Sequence, residues 1–390
     1  MSRSILIGIL IAFSVGLLTS CKQQGGEQDG ENKDTLEATG DSISQITVEY
    51  AEGFRVKYIP GVALISISDP QSPKESTQYH FALIQDPENY NKEEIPEGYV
   101  SIPLPTRKVV CMTTLQLSNF IALGALDNIV GISSTRHLFN TDIKALQHSG
   151  KIQKIGIEGN FDREVVMGID PDIILISPFK RGGYDDLKEI DIPLVPHLGY
   201  KENSPLGQAE WVKFVGLLLG KEKEANAYFA QVRDEYNRWK EIASHVTHRP
   251  TVFSGDLKGG AWYVVGGKSF LAQLFHDAGA DYFLKDDPNT GGVTLDFETI
   301  YSRAADVDYW RILSSFDGTF SYDALLAQDE RYADFKAFKE KGVIHCNLKT
   351  TPYYESAIIH PDLLLKDFIK VFHPDLLPNY SPTYYHLMGH

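Results

Sequence analysis

The sequence predicts an α/β protein in which two similar parallel-sheet lobes are joined by one long backbone helix and preceded by a β-rich N-terminal extension. Three observations lead to this fold class. Strand-like and helix-like segments alternate after Arg107, a comparable series recurs after Arg249, and an amphipathic helical stretch separates the two series. Such alternation is typical of parallel sheets covered by helices on both faces. With 390 residues, of which 43% are hydrophobic and 23% charged, the chain is long enough for all three parts.

The N-terminus has the pattern of an export signal. Arg3 precedes an apolar run from Ile5 to Leu18, which at about 14 residues is shorter than the roughly 20 that a transmembrane helix needs. The segment Leu-Thr-Ser-Cys ending at Cys21 resembles the lipobox of bacterial lipoproteins, which implies that residues 1–20 are a removed signal peptide and that Cys21 is lipid-modified. An ordinary signal peptide with a chance cysteine is the alternative. We expect an exported protein, lipid-anchored to a membrane of the cell envelope and facing the periplasm.

Two segments of contrasting composition follow the signal. Residues 21–43 are rich in Gly, Glu, Asp and Gln, and because they contain few apolar side chains we expect a flexible tether. Residues 44–105 contain short alternating runs, ITVEYAEGFRVKYIPGVALISIS and YHFALIQ, which predict a β-rich extension.

The two lobes are predicted at residues 106–206 and 244–390 because matching segments occur in both in the same order. Each has a helix that closes on Gly-Ala before an aspartate and a strand, in IALGALDNIVGI and LFHDAGADYFL. Each then has an acidic helix start and a strand, in FDREVVMGIDPDIILI and LDFETIYSRAADVDYWRI. A Ser-x-Phe segment next leads into Tyr-Asp-x-Leu, in SPFKRGGYDDL and SSFDGTFSYDAL. These matches indicate lobes of similar architecture.

Residues 207–243 are predicted to be the helical connection between the lobes. The first helix, AEWVKFVGLLLG, ends at Gly220, a residue type favoured at helix C-termini. Apolar side chains then recur every three or four residues from Ala225 to Ile242, which indicates an amphipathic helix of roughly 22 residues and about 33 Å. One stiff helix between two lobes leaves a cleft and little scope for large hinge motion.

Composition narrows the classes of function. The net charge of −15, from 37 basic and 52 acidic residues, argues against nucleic acid or anionic lipid as the main partner. Besides Cys21, the chain has only Cys111 and Cys346, both in strand-like runs, which we expect to be buried free thiols, with a disulfide between them as the alternative. The sequence contains none of the CxxC, HExxH, GxSxG or P-loop motifs.

From residue 106 to residue 390 the chain resembles the periplasmic substrate-binding proteins of ABC importers for iron–siderophore complexes and cobalamin, particularly those of the Bacteroidetes type. The segments that resemble the family are RKVVCMTTLQLSNFIALGALDNIVGIS, GIDPDIILIS, IPLVPHLGY, ANAYFAQVRDEYNRW, AWYVVGGKSFLAQLFHDAGAD and YYESAIIHPDLLLKDFIKVFHPDLLP. The resemblance implies a monomeric binder that performs no catalysis, captures a small metal chelate in the cleft and delivers it to a membrane permease. The lipid anchor agrees with this role, whereas the β-rich extension departs from the better-known members.

Candidate ligand-binding residues follow from the rule that open α/β sheets bind ligands beyond the carboxyl ends of their strands. The loops selected in this way contain Thr113, Thr114, Arg136, His137, Phe179, Lys180 and Tyr200 in the first lobe, and Trp262, Tyr263, Arg311, Phe316 and Tyr353 in the second. The aromatic rings suit a corrin ring or a catecholate, and the cations suit an anionic iron chelate. The alternative for each is an ordinary surface or packing residue.

No resident metal or cofactor is expected, and the ligand is expected to be a ferric chelate. His137 has a side chain that ligates metals, but no pair of histidines has the spacing of a metal site on a predicted helix.

The resemblance also implies a second contact, in which one carboxylate on each lobe pairs with arginines of the permease. The matching segments are GGYDDL and SYDAL, which point to Asp186 (or Asp185) and Asp323. The family usually has Glu at these positions. Asp in the first turn of a helix, where it is favoured by the helix dipole, is the alternative explanation.

The function favoured by the sequence is therefore capture of an iron–siderophore complex for an ABC importer. Cobalamin or haem is the alternative ligand, although Ser133 to Arg136 lie where cobalamin binders tend to have aromatic residues. An exported hydrolase on the same scaffold would need a nucleophile with a paired base or a metal site, and no motif supplies either. A structural surface lipoprotein with a vestigial cleft is the third possibility.

Overall fold

The N-terminal extension forms a four-stranded sheet, which confirms its predicted β-rich character. The computed structural model describes residues 45–72, 77–133, 135, 137–157, 160–178 and 184–389, so the predicted signal peptide, Cys21 and the tether lie outside the described residues. The strands, which neighbour one another in chain order, are β1 (Phe54–Ile59), β2 (Val62–Ile67), β3 (Tyr79–Ile84) and β4 (Val100–Pro103). The first three strands pair antiparallel, and β4 runs parallel to β3.

The first lobe is built on a five-stranded parallel sheet in the order β11-β10-β5-β6-β7. Its strands, including a small antiparallel hairpin of β8 and β9, are β5 (Val109–Cys111), β6 (Ile129–Ile132), β7 (Gln153–Lys154), β8 (Gly156–Ile157), β9 (Asn160–Phe161), β10 (Ile173–Ile176) and β11 (Leu194–Pro196). Its helices are α1 (Thr114–Ala122), α2 (Thr141–His148), α3 (Arg163–Ile169) and α4 (Asp185–Lys188). Val109 and Val110 pack into different cores on opposite faces of the sheet, so these short strands are apolar at every position.

The second lobe repeats this plan with the sheet order β15-β12-β17-β18-β19, in which only β19 is antiparallel. A separate antiparallel sheet has the order β13-β14-β16. The strands are β12 (Thr251–Ser254), β13 (Asp256–Lys258), β14 (Ala261–Val265), β15 (Asp281–Tyr282), β16 (Gly292–Leu295), β17 (Tyr309–Ser314), β18 (Val343–Asn347) and β19 (His386–Leu387). The other helices, apart from the connection, are α7 (Phe270–Asp277), α8 (Phe297–Ala304), α9 (Tyr322–Leu326), α10 (Lys336–Lys339), α11 (Tyr353–Ser356) and α12 (Pro361–Phe372).

Two consecutive helices, α5 (Pro205–Leu219) and α6 (Glu222–Ser244), connect the lobes. The Ser204 hydroxyl caps the start of α5 by accepting from the Gly207 amide at 3.0 Å, and Gly220 ends it in the left-handed conformation with φ +66°. The 23-residue α6 shares its buried face between both lobes. Ala225, Phe229 and Val232 lie in the first core, whereas Tyr236, Trp239 and Ala243 lie in the second. The predicted backbone helix is therefore confirmed.

The extension belongs to the core of the first lobe. Phe54 of β1 packs edge-on against Trp211 of α5, with ring centroids 4.9 Å apart. Two buried carboxylates fix the chain just before β1: Glu210 accepts from the amides of residues 49–51, and Glu202 accepts from those of Glu52 and Gly53. These contacts satisfy backbone donors that have no sheet partner.

The two cysteines of the lobes are free thiols, as expected. Cys111 lies in β5 and Cys346 in β18, and both are buried. Burial raises the pKa of the Cys346 thiol to about 12, which keeps it protonated and unreactive. In the described part of the chain, no helix is both long enough and apolar enough to cross a bilayer.

Candidate functional site

A cavity of about 980 Å³ lies between the carboxyl ends of the two parallel sheets. Its first-lobe wall comes from the turn between β5 and α1, with His137 from the loop after β6. Its second-lobe wall comes from the end of β17 and the start of the β13–β14 hairpin. The lining residues are Met112, Thr113, Thr114, Leu115, His137, Gly255, Asp256, Lys258, Tyr263, Arg311, Leu313, Ser314, Ser315, Phe316, Gln328, Leu348 and Tyr354. This position is where open α/β sheets bind ligands.

The turn from β5 into α1 presents a polar atom that the protein leaves unpaired. The Gln116 side-chain oxygen accepts from the amides of Met112 at 2.7 Å and Thr113 at 3.2 Å, which fixes the turn. The Thr113 hydroxyl oxygen is buried but has no hydrogen-bond partner among the described residues. The turn has the form of a capping box, in which this hydroxyl faces the Gln116 backbone amide at the start of α1.

On the opposite wall of the cavity, Arg311 also has a buried polar atom without a hydrogen-bond partner in the described part of the chain. The residue is only 9% exposed, and the unpartnered atom is its Nε. The guanidinium donates from Nη2 to the Tyr385 hydroxyl and lies 4.8 Å from the centre of that ring. No carboxylate of the described residues forms an ion pair with it. A buried cation without a direct ion-pair partner is unfavourable, so Arg311 favours an anion at this wall of the cavity.

One carboxylate also lines the cavity, but it has its own cation. Asp256 lies 3.3 Å from the Lys258 ammonium, and both residues are at the cavity wall. Burial raises the pKa of Asp256, and the positive charges of Lys258 and Arg311 oppose this shift. With two cations and one carboxylate, these three residues give the lining a net positive charge.

The sheet behind the cavity contains a neutral histidine. His345 in β18 contacts the Ser314 hydroxyl at 3.0 Å and stacks on Phe320 with ring centroids 4.2 Å apart. Burial lowers the pKa of His345 to about 4, so the ring is neutral at physiological pH. It supports Ser314 rather than adding charge to the cavity.

His137 connects the two lobes at one end of the cavity. Its Nδ1 lies 3.0 Å from the Leu348 carbonyl oxygen, and because a carbonyl only accepts, Nδ1 must be the protonated nitrogen. Its backbone is left-handed with φ +62°, which is uncommon for a residue with a β-carbon. Two residues further on, the amides of Phe139 and Asn140 donate to the buried Glu355 carboxylate of α11, the latter at 3.0 Å. The lobes are thus held together by hydrogen bonds beside the cavity.

The family follows from a comparison with known proteins. A family model described as periplasmic binding protein matches residues 109–349, which is more than half of the chain. This chain belongs to the periplasmic binding protein family. The match confirms the predicted resemblance, and it confirms a solute-binding protein rather than an enzyme.

Relatives and solved structures agree with this family. The binding protein is 28% identical over 305 residues to an uncharacterized lipoprotein of Methanocaldococcus jannaschii, which covers 74% of this chain and 70% of the relative. A periplasmic heme-binding protein from Pseudomonas aeruginosa is similar with a TM-score of 0.58 and 18% identity, over 73% of this chain and 99% of that one. The structure of an ABC-type Fe3+-hydroxamate transport system from Saccharomonospora viridis gives a TM-score of 0.52 and 16% identity, over 69% and 94% of the chains. These structural likenesses show the two-lobed fold.

The structure of the binding protein brings together half of the residues predicted to contact ligand. Thr113, Thr114, His137, Tyr263, Arg311 and Phe316 all line the main cavity. Tyr200 and Tyr353 instead line a smaller cavity of about 160 Å³, which shares Leu115 and Tyr354 with the main one. Arg136, Phe179, Lys180 and the side chain of Asp186 lie outside the described residues. Asp323 is exposed in the first turn of α9.

Trp262 was wrongly predicted to contact ligand. It lies in strand β14 rather than in a loop, and successive side chains of a strand point to opposite faces. Its indole is fully buried in the core of the second lobe, where the ring N–H donates to the Ser254 carbonyl at 3.1 Å. The neighbouring Tyr263 points the other way and is 52% exposed at the cavity.

The sequence analysis missed several lining residues of the second lobe. Gly255 and Asp256 follow β12 directly, so the same carboxyl-end rule would have selected them had that strand been used. Lys258 was missed because it lies within the unpredicted β13–β14 hairpin. Gly255 has φ +91°, and a β-carbon there would lie 1.9 Å from the Tyr263 carbonyl, so only glycine fits between the two strands.

The lobe-to-lobe contact through Glu355 yields a prediction about stability. Replacing Glu355 by alanine leaves the Phe139 and Asn140 amides without their acceptor, and we expect the free energy of unfolding to fall by about 1–3 kcal/mol. Urea unfolding followed by tryptophan fluorescence measures this loss. Glu164→Ala, at an exposed position in the first turn of α3, is the matched control and should cost about 0.5 kcal/mol or less. Equal losses in both variants would contradict the role assigned to Glu355.

Proposed function

We propose that this periplasmic binding protein captures an anionic iron–siderophore complex and delivers it to the permease of an ABC importer. The observation that supports this ligand class is the buried Arg311 guanidinium, which lines the cavity between the lobes without a carboxylate partner among the described residues. Retaining an uncompensated buried cation costs stability. An anionic oxygen of the ligand would pair with it in the loaded protein.

The remaining walls suit a metal chelate of moderate size. A volume of about 980 Å³ is at the upper end of the range for small-molecule sites. Tyr263, Phe316 and Tyr354 offer aromatic surface to catecholate or other planar groups, and the Thr113 hydroxyl offers an unpaired polar atom. A neighbouring cavity of about 400 Å³ shares His137 and adds Lys144, which would attract an approaching anion, and Lys349, which pairs with Asp317 at 3.1 Å.

Haem is the second candidate, and His137 is the observation that favours it. Because Nδ1 donates to Leu348, Nε2 of the neutral ring is the nitrogen available to ligate a metal at the cavity. Haem would also bring carboxylates to Arg311. Cobalamin would use the same aromatic walls, but it offers amides rather than carboxylates to the guanidinium.

We also propose that the protein contacts the permease through two carboxylates and the membrane through a lipid. We assign the exposed Asp323 and the predicted Asp186 to the contact with permease arginines, as the family resemblance implies. We assign Cys21 to lipid attachment in the cell envelope. The lipoprotein name of the curated relative supports this anchor.

A ligand screen tests the proposed function. The full chain in a mild detergent is mixed with ferric citrate, ferric enterobactin, haemin, cyanocobalamin or the positively charged ferrioxamine B, and thermal unfolding is followed by circular dichroism. A ligand present at 100 times its dissociation constant stabilises the native state by about 2.7 kcal/mol. We expect the anionic ferric chelates to raise the melting temperature, and iron-free citrate as the control to leave it unchanged. A rise with cyanocobalamin alone would contradict the proposal.

A further inference from the structure

The C-terminal segment from Tyr380 to Met388 lies beyond the part of the chain that the family model matches, yet it reaches the candidate site. Its strand β19 adds an antiparallel edge to the second sheet by pairing with β18. Just before this strand, Tyr384 and Tyr385 are almost fully buried. Tyr385 contacts Arg311, whose guanidinium lines the cavity.

A single buried carboxylate fixes the backbone of this segment. Asp367 in α12 is fully buried and accepts from the amides of Thr383 at 2.8 Å, Tyr384 at 2.6 Å and Tyr385 at 3.0 Å. The Tyr380 hydroxyl donates to the same carboxylate at 2.7 Å. With its backbone amide bound in this way, Tyr385 has little freedom to move.

The Tyr385 side chain in turn fixes Arg311 by two contacts of different kinds. Its hydroxyl accepts a hydrogen bond from Nη2, and its ring lies under the guanidinium at 4.8 Å. Tyr353 and Phe368 pack around the Tyr385 ring, and their ring centroids lie 5.8 Å and 5.0 Å from its own. With Nη2 bonded to Tyr385 and Nε buried, the Tyr385 side chain sets how the guanidinium lies at the cavity wall.

We propose that Tyr385 is a positioning residue of the ligand site, which holds the Arg311 guanidinium at the cavity wall so that it meets an anionic oxygen of the ligand. This inference rests on the proposed function, because it requires an anion at Arg311. The Tyr385 hydroxyl also interacts with Tyr353, so a tail that only closes the sheet edge would lose stability without it but would keep its ligand affinity. Affinity measured beside the melting temperature therefore separates a positioning role from a purely structural one.

The test compares two tyrosine-to-phenylalanine variants of the same segment in the full chain. Titration calorimetry with ferric citrate and ferric enterobactin gives dissociation constants, and circular dichroism gives melting temperatures. We expect Tyr385→Phe to weaken binding about tenfold, since a hydrogen bond to a charged group is removed while the ring stays. Tyr380→Phe, which removes the hydroxyl bound to Asp367, should lower the melting temperature and leave the dissociation constants unchanged.

The outcomes distinguish this inference from the proposed function. Wild-type protein that binds either chelate, together with unchanged affinity in Tyr385→Phe, would overturn the positioning role alone. Wild-type protein that binds neither chelate would overturn the proposed function and this inference with it. Equal weakening by Tyr385→Phe and Tyr380→Phe would also overturn the positioning role, because it would reflect general loosening of the segment.

Discussion

Replacing Arg311 by methionine is expected to weaken the binding of anionic chelates at least about thirtyfold while making the ligand-free protein more stable. Arg311 is 9% exposed as a residue and has no ion-pair partner among the described residues, so the empty protein bears the cost of a buried charge. Substituting buried charges by apolar side chains of similar volume often stabilises a protein by about 1–4 kcal/mol. Loss of one partner of a buried charge pair costs about 2–5 kcal/mol of binding energy, or roughly thirtyfold and more in affinity.

Calorimetric titration and urea unfolding measure the two effects of Arg311→Met separately. The matched control is Arg249→Met in the same lobe. Arg249 is paired with Asp281 at 3.0 Å and donates to the His276 and Ala280 carbonyls, so its loss should lower stability and leave binding intact. If Arg311→Met bound the chelates as tightly as the wild type, the anion site would have to lie elsewhere.

The second large effect is expected on stability, from Glu210→Gln. The Glu210 carboxylate is fully buried and accepts from the amides of Glu49, Tyr50 and Ala51 at 2.6–2.9 Å. It also pairs with the buried ammonium of Lys213 at 2.7 Å. A glutamine has the same shape but no charge, so it cannot pair with the Lys213 ammonium. Its NH2 group would also point at backbone N–H donors instead of offering them an oxygen. We expect a loss of about 3–5 kcal/mol, the usual cost of removing one partner of a buried ion pair.

Chemical unfolding of Glu210→Gln measures the loss, and limited proteolysis followed by mass spectrometry locates it. Cleavage should appear first near residues 45–53, which lose their attachment to α5. Glu49→Gln is the matched control, because Glu49 contacts the same Lys213 at 3.2 Å but its side chain is 38% exposed. It should cost about 1 kcal/mol or less. A comparably small loss in Glu210→Gln would show that the extension is held mainly by its apolar contacts.

The sequence alone was enough for the fold class, because that class follows from local patterns. The α/β alternation, the stop of α5 at Gly220 and the amphipathic period of α6 depend on residues within a few turns of one another. The buried thiols could also be inferred from the apolar strands around them. Even the position of the site was accessible, since the carboxyl ends of parallel strands are identifiable once the strands are.

Only the tertiary structure decided which side chains reach the cavity and which ones support them. Trp262 and Tyr263 are adjacent in sequence, and the direction of each depends on how β14 sits against β13 and β16. Glu355 bonds to amides more than two hundred residues away, and Tyr385 meets Arg311 across 74 positions. Such pairs cannot be recognised from neighbouring residues in the sequence, because each hydrogen bond forms only when the fold brings two distant segments together. The fold class therefore follows from local periodicity, whereas the burial and the partners of Arg311 depend on long-range packing.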